Sequence, residues 1–164
     1  MAVATPRKTK VLIVDFSRVL IFPIKDGIES LNGYHASLSK EPGYKLFDHF
    51  VLNHELLEYL ERIGKAIPVY VFTDGKLHEL PEVTPHLKDT FSAMYTVDSL
   101  GLNKKQPESY AALAAHIGVK PEEIAFIDDK AANVSAAQQA GVHAVQYTSN
   151  EELLPQLAHM SLEP

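Results

Sequence analysis

Four places in the chain put polar, reactive side chains next to short apolar runs or a helix start. Asp15 closes KVLIVD, Thr73-Asp74 closes VYVFTD, Asp128-Asp129 closes IAFIDD, and Lys104 stands just before the helix start at Pro107. Hard carboxylate oxygens drawn from two strands can hold Mg²⁺, which keeps several waters and takes only one or two carboxylates. A phosphoryl group completes such a shell. The Thr73 hydroxyl and the backbone N–H groups after it can bind phosphoryl oxygens, and the Lys104 ammonium can neutralise the charge that builds as the group transfers. A carboxylate not fully taken up by the ion is then available as a nucleophile.

These residues meet only if the intervening chain forms an open parallel sheet, in which ligands bind beyond the carboxyl ends of the strands, near the point where strand order reverses. The pattern predicts such a sheet. An apolar strand covers residues 11–15. Asn53 is a good N-cap for a helix with Leu56, Leu57, Leu60 and Ile63 at helical spacing and Gly64 as its stop. Pro68 opens a β-branched and aromatic strand, VYVFT, and Asp74-Gly75 reads as a turn. Residues 76–90, broken by Pro81 and Pro85, leave room for one or two helical turns, and a weak strand follows at 93–97. Pro107 starts a helix carrying Tyr110, Leu113, Ala114 and Ile117 on one face, closed by Gly118. A strand at 124–127, a small-residue helix at 131–140 ended by Gly141, a strand at 144–147 and a helix at 151–159 complete the alternation. Strands alternating with helices imply a mostly parallel sheet covered on both faces, in one domain spanning residues 1–164. Residues 21–50 are the exception. Pro23, Gly27, Gly33, Pro42 and Gly43 break both periodicities, and the stretch reads as an irregular cap-like insertion: a lid or substrate-facing element, a disordered stretch or plain surface packing.

Composition removes several functions. The chain of 164 residues has a net charge of −6, which argues against nucleic acid or an anionic membrane surface as the main partner. It has no cysteine, so disulfides, thiolate zinc sites and a cysteine nucleophile are excluded. Its N-terminus lacks the apolar core of a signal peptide, so a cytoplasmic protein with a disordered leader over residues 1–9 is expected. The eight histidines show no H-x-x-x-H pairing and read as structural or solvated.

On these residues the chain resembles the haloacid dehalogenase-like (HAD) hydrolases, over residues 11–147. VLIVDFSRVL looks like the first motif of that family, VYVFT like the second, the stretch from Lys104 to Tyr110 like the third and IAFIDDKAANVSAAQQAG like the fourth. The resemblance implies a Rossmann-like three-layer sandwich with only a minimal cap. It implies that Asp15 is the nucleophile, forming an aspartyl-phosphate, and also a Mg²⁺ ligand. Asp129 would complete the metal site, with Asp128 as a further candidate ligand and Ser17 contributing its backbone carbonyl. Thr73 would hold the phosphoryl group. Lys104, six residues before Tyr110, would be its electrostatic partner, in preference to Lys105.

One departure matters. HAD phosphatases carry a second aspartate two positions after the nucleophile, which shuttles a proton to the leaving oxygen, whereas this chain has Ser17 followed by Arg18. A serine hydroxyl is no equivalent acid near neutral pH, and loss of such a group forfeits roughly 10²–10⁴ in rate. The expectation is therefore Mg²⁺-dependent phosphoryl transfer restricted to good leaving groups, from a small or a bulky phosphorylated substrate held with the help of Asp74 and Arg18. The alternatives are a catalytically degenerate HAD-like domain with a binding role, and, ranked last, a dehalogenase-type hydrolase.

Overall fold

The structure is a computed structural model, and it describes residues 8–87, 89–160 and 162. Its regular elements are, in chain order, β1 (Val11–Val14), β2 (Ile21–Pro23), α1 (Leu31–Leu38), β3 (Phe50–Leu52), α2 (His54–Ile63), β4 (Val69–Thr73), β5 (Ala93–Thr96), α3 (Val97–Leu100), α4 (Pro107–Ile117), β6 (Ile124–Asp128), α5 (Ala131–Gln139), β7 (His143–Gln146) and α6 (Asn150–His159). Strand β1 reads VLIV with every residue buried, the signature of a strand covered on both faces. It lies at the centre of a five-stranded parallel sheet of order β5-β4-β1-β6-β7, in which Ile13 pairs with Tyr70 on one side and Phe126 on the other. The chain leaves β1 toward β4 and β5, then crosses back to β6 and β7, so strand order reverses between β1 and β6.

Alternation along each strand divides the core into two layers. Leu12 and Val14 of β1, with Val69, Val71 and Ile127, face Leu56 and Leu60 of α2 and Leu153 and Leu157 of α6. Val11 and Ile13, with Phe72, Ile124 and Phe126, face Tyr110 and Leu113 of α4 and Ala136 and Ala137 of α5. The result is the expected three-layer α/β sandwich. No helix among the described residues is long and apolar enough to cross a membrane.

Residues 21–50 are more ordered than their punctuation implies. β2 and β3 form an antiparallel ribbon, with Phe22 opposite Val51, and α1 lies between them in sequence. The Ser30 hydroxyl caps α1 by accepting from the Gly33 N–H at 3.0 Å. This helix escapes the sequence pattern because Gly33 sits inside it and Leu31 is its one buried residue, so no apolar stripe marks it. At the chain ends, the leader expected over 1–9 falls mostly outside the described residues. Thr9 is a correction: it is buried and bridges Leu162.

The ribbon is anchored by a buried amide. Asn53 caps α2 through Leu56 N–H (3.2 Å), donates to the Val19 carbonyl (2.9 Å) and pairs reciprocally with the Asn150 amide (2.9 and 2.8 Å). It thus ties the turn after β1 to the start of α6. Asn53→Ala is expected to lower stability by about 1–3 kcal/mol, combining a lost cap with buried groups left unpaired. Urea unfolding of the two proteins measures it, with an unchanged m-value expected.

Candidate active site

The turn that follows β1 is built by the backbone. Asp15 N–H donates to the Ile127 carbonyl at 2.8 Å, locking the end of β1 to β6, and the Phe16 carbonyl accepts from Leu20 N–H at 2.8 Å and Ile21 N–H at 3.2 Å. Arg18 takes a left-handed conformation, φ 61°, which disfavours a residue with a Cβ by about 1–2 kcal/mol. Its own N–H donates to the Ile21 carbonyl at 2.8 Å, and its guanidinium donates to the Ile28 carbonyl. The Asp15 carboxylate accepts from Phe16 N–H at 2.7 Å.

Lys104 completes the centre. It lies on the loop between α3 and α4, yet it is 2% exposed, with its ammonium 3.0 Å from Asp15, 3.0 Å from Asp128 and 3.9 Å from Asp74. The ammonium also stands 5.3 Å from the Phe72 ring and 5.8 Å from the Phe126 ring, apolar walls that strengthen its pull on the carboxylates. Tyr110 holds the loop by donating its hydroxyl to the Lys104 carbonyl at 2.7 Å. Burial pulls the Lys104 ammonium toward losing its proton, but Asp15 and Asp128 outweigh burial and leave its pKa raised. Burial pushes the Asp15 carboxyl up to about 7, with Asp128 adding to the rise and Lys104 opposing it.

Asp128 and Asp129 play different parts. Asp128 is fully buried, and its two oxygens accept from Lys104, from Lys130 N–H at 2.8 Å and from the Asn133 amide at 3.1 Å. Asp129 is half-buried, and burial followed by the neighbouring Asp128 raises its pKa. One oxygen each of Asp15, Asp128 and Asp129 lie within 4.8 Å of one another, the only such group of potential metal ligands among the described residues. Histidines therefore form no comparable cluster there, and His78 is buried edge-on against Phe16 at 5.9 Å.

A cleft of about 240 Å³ opens over this centre. Of the residues expected from sequence, Asp15, Ser17, Arg18, Thr73, Asp74 and Asp129 line it, while Lys104 and Asp128 lie beneath as its buried floor. Its far wall comes from Glu29, Ser30, Leu31 and Asn32 at the start of α1, inside the stretch whose punctuation reads as an irregular insertion. Asn32 also explains Gly75. A Cβ there would sit 2.2 Å from the Asn32 amide, so this glycine serves a close approach between α1 and the loop after β4 as well as a bend. Asn133 and Tyr110 were legible as motif residues, but their contacts with Asp128 and the Lys104 carbonyl depend on the packing of α4 and α5.

A doubly wound α/β domain with an aspartate beyond its central strand, and two more beside it at the point of strand reversal, defines a class of carboxylate-centred enzymes. The profile of haloacid dehalogenase-like hydrolases matches residues 38–141, and the chain belongs to that family. An enolase-phosphatase from Persephonella marina is 30% identical over 139 residues, covering 80% of this chain and 57% of that protein. An (S)-2-haloacid dehalogenase from Xanthobacter autotrophicus is 32% identical over 80 residues, 48% of this chain and 32% of that protein. The chain thus spans about half the length or less of these curated relatives. In fold it is similar to a HAD family enzyme from Bacteroides thetaiotaomicron crystallised with magnesium and inorganic phosphate, with a TM-score of 0.67 at 18% identity over 90% of this chain and 98% of that one.

The raised Asp15 carboxyl predicts a pH signature in the metal-free protein. An acid whose folded pKa lies above its unfolded value stabilises the fold below the unfolded value, about 3.9, and that contribution is lost as pH rises through the folded one. In EDTA the wild type should therefore lose stability between about pH 4 and 7 relative to Asp15→Asn, which lacks the titrating group. Thermal midpoints across that range check it: parallel curves would contradict the assignment.

Proposed function

We propose that this protein is a cytoplasmic Mg²⁺-dependent phosphatase that works through an aspartyl-phosphate on Asp15. The observation that carries this reading is the buried ammonium of Lys104, 3.0 Å from both Asp15 and Asp128 at the strand ends. The donor set fits Mg²⁺: three carboxylates converge, and those of Asp128 already accept three hydrogen bonds, so Asp15 and Asp129, with the Ser17 carbonyl, are the residues that would hold the ion. When bound, the ion supplies charge neutralisation on the phosphoryl oxygens.

In this reading an Asp15 oxygen attacks phosphorus. Thr73 donates its hydroxyl to the phosphoryl oxygens, the backbone N–H of Asp74 adds a donor at the cleft rim, and Lys104 holds the Asp15 carboxylate in place while balancing the charge. Asn133 and Lys130 N–H fix Asp128, which keeps Lys104 charged. Ser17 lines the cleft where an acid would protonate the leaving oxygen, so the favoured substrates are acyl or aryl phosphates, whose leaving groups depart without a proton. They range from small molecules to bulky phosphorylated partners. The polar lining, with Arg18, Glu29, Asp74 and Asp129, disfavours carbon–halogen hydrolysis, which calls for an apolar halide pocket. Ser17 also supports a second reading, a binding domain that has lost turnover.

Hydrolysis of an acyl phosphate with and without Mg²⁺ separates the readings. Because the residue that would protonate the leaving group in the first step would deprotonate water in the second, its absence slows release of phosphate from Asp15. The expected outcome is a burst of leaving group equal to about one per chain, then slower turnover, with alkyl phosphates about 10²-fold or more below aryl phosphates. EDTA and Asp15→Asn should each abolish the burst. Activity that survives Asp15→Asn, or equal turnover of alkyl and aryl phosphates, would sink the mechanism, and no turnover of any phosphate would favour the binding domain.

A further inference from the structure

Arg18 has a role that the carboxylate centre leaves unassigned. Its side chain is half-buried and lines the same cleft as Asp15, three residues after it in the same turn. Three exposed or half-buried acids, Glu29, Asp74 and Asp129, line that cleft as well, yet among the described residues Arg18 forms an ion pair with none of them. Among the described residues its side chain bonds the Ile28 carbonyl, which uses one of five guanidinium donors. Two features aim it. The left-handed backbone at φ 61° turns the side chain out of the path an extended residue would give it, and the bond to Ile28 ties it to the wall formed by the start of α1. A cation so directed, with donors to spare and no carboxylate, is a built place for an anion that comes and goes.

Resting on the aspartyl-phosphate reading above, we propose that Arg18 binds the leaving group as it departs as a carboxylate, which makes the substrate an acyl phosphate. Ser17 cannot protonate that oxygen, and a positive charge beside it does the equivalent work on an anion that needs no proton. The planar fork of a guanidinium matches the two oxygens of a carboxylate, where a phenolate offers one. The atoms balance. An Asp15 oxygen bonds to phosphorus, the bond from phosphorus to the acyl oxygen breaks, and its electron pair stays on that oxygen, leaving a carboxylate against Arg18. Water then attacks phosphorus, the bond to Asp15 breaks, one proton passes to solvent and inorganic phosphate leaves.

The test is single-turnover phosphorylation of Asp15 by acetyl phosphate and by a series of aryl phosphates of graded phenol pKa, in wild type, Arg18→Lys and Arg18→Met. Arg18→Met should slow aspartyl-phosphate formation by about 10²-fold and steepen its dependence on leaving-group pKa, with hydrolysis of the preformed intermediate unchanged. Arg18→Lys, which keeps the charge and loses the fork, should recover the aryl series better than acetyl phosphate. A uniform rise in KM with an unchanged slope, or rates equal to wild type, would overturn the proposal. Arg18→Gly relieves the left-handed backbone, so it should lose rate while keeping or raising the thermal midpoint; a lower midpoint in all three variants would make the residue structural and overturn the proposal too. Failure of the wild type to phosphorylate Asp15 from any of these substrates would instead refute the aspartyl-phosphate reading, and the role of Arg18 with it.

Discussion

Everything at the mouth of the sheet depends on one buried ammonium shared by two carboxylates. Lys104 touches Asp15 and Asp128 at 3.0 Å each, in a place where both carboxylates and the ammonium are almost wholly shielded from water. Bringing such charges out of water costs several kcal/mol per ion, so the contact does not stabilise the fold in any simple way. What it provides is position. Remove the cation and two acids face each other unbalanced; remove either acid and a buried ammonium loses one of the two carboxylates that hold it at 3.0 Å.

The fold is arranged to hold this one cation. β1 delivers Asp15 and β6 delivers Asp128 on adjacent parallel strands, at the point where the chain's connections diverge to opposite sides, so that no crossover covers the site. Lys104 arrives from a loop, the least constrained kind of element, and is therefore restrained twice. Tyr110 on α4 grips its carbonyl, and the rings of Phe72 and Phe126 flank its ammonium. On the other side, Asn53 fastens the turn after β1 to α2 and α6. The candidate catalytic face is thus a set of strand ends and one loop, of which the turn after β1, Asp128 and the Lys104 loop are held from behind by hydrogen bonds from Asn53 at the cap of α2, Asn133 on α5 and Tyr110 on α4.

The turn after Asp15 is where this chain parts from the phosphatases it resembles. It has no acid at residue 17, and it places at residue 18 a guanidinium that bonds the Ile28 carbonyl and, among the described residues, pairs with no carboxylate, in a backbone conformation that a side chain adopts at a cost. Strain of this kind persists where the surroundings over-determine it, and the Ile21 and Ile28 carbonyls do so here. In the proposed mechanism this turn would shift the chemistry from proton transfer toward charge stabilisation at the leaving side.

The strands, the main helices and the acids at the strand ends were legible in the sequence because burial on both faces leaves a continuous apolar run, and each run ends in a polar residue where the sheet meets water. Asp15, Thr73, Asp128 and Asp129 could be named from that pattern, and the resemblance to the family, through its typical spacing from lysine to Tyr110, singled out Lys104 from two adjacent lysines. The β2–β3 ribbon and α1 could not be read, since a three-residue strand has too few positions to show alternation and Gly33 hides the helix. Nor could the approach of Asn32 to Gly75, or the difference between a fully buried Asp128 that accepts three hydrogen bonds and a half-buried Asp129. Local sequence determines which residues lie at a strand's end, because side-chain periodicity is a property of neighbours along the chain. Which of their lone pairs are taken by hydrogen bonds, and which cation meets a carboxylate, is decided only when distant segments pack, because those are properties of neighbours in space.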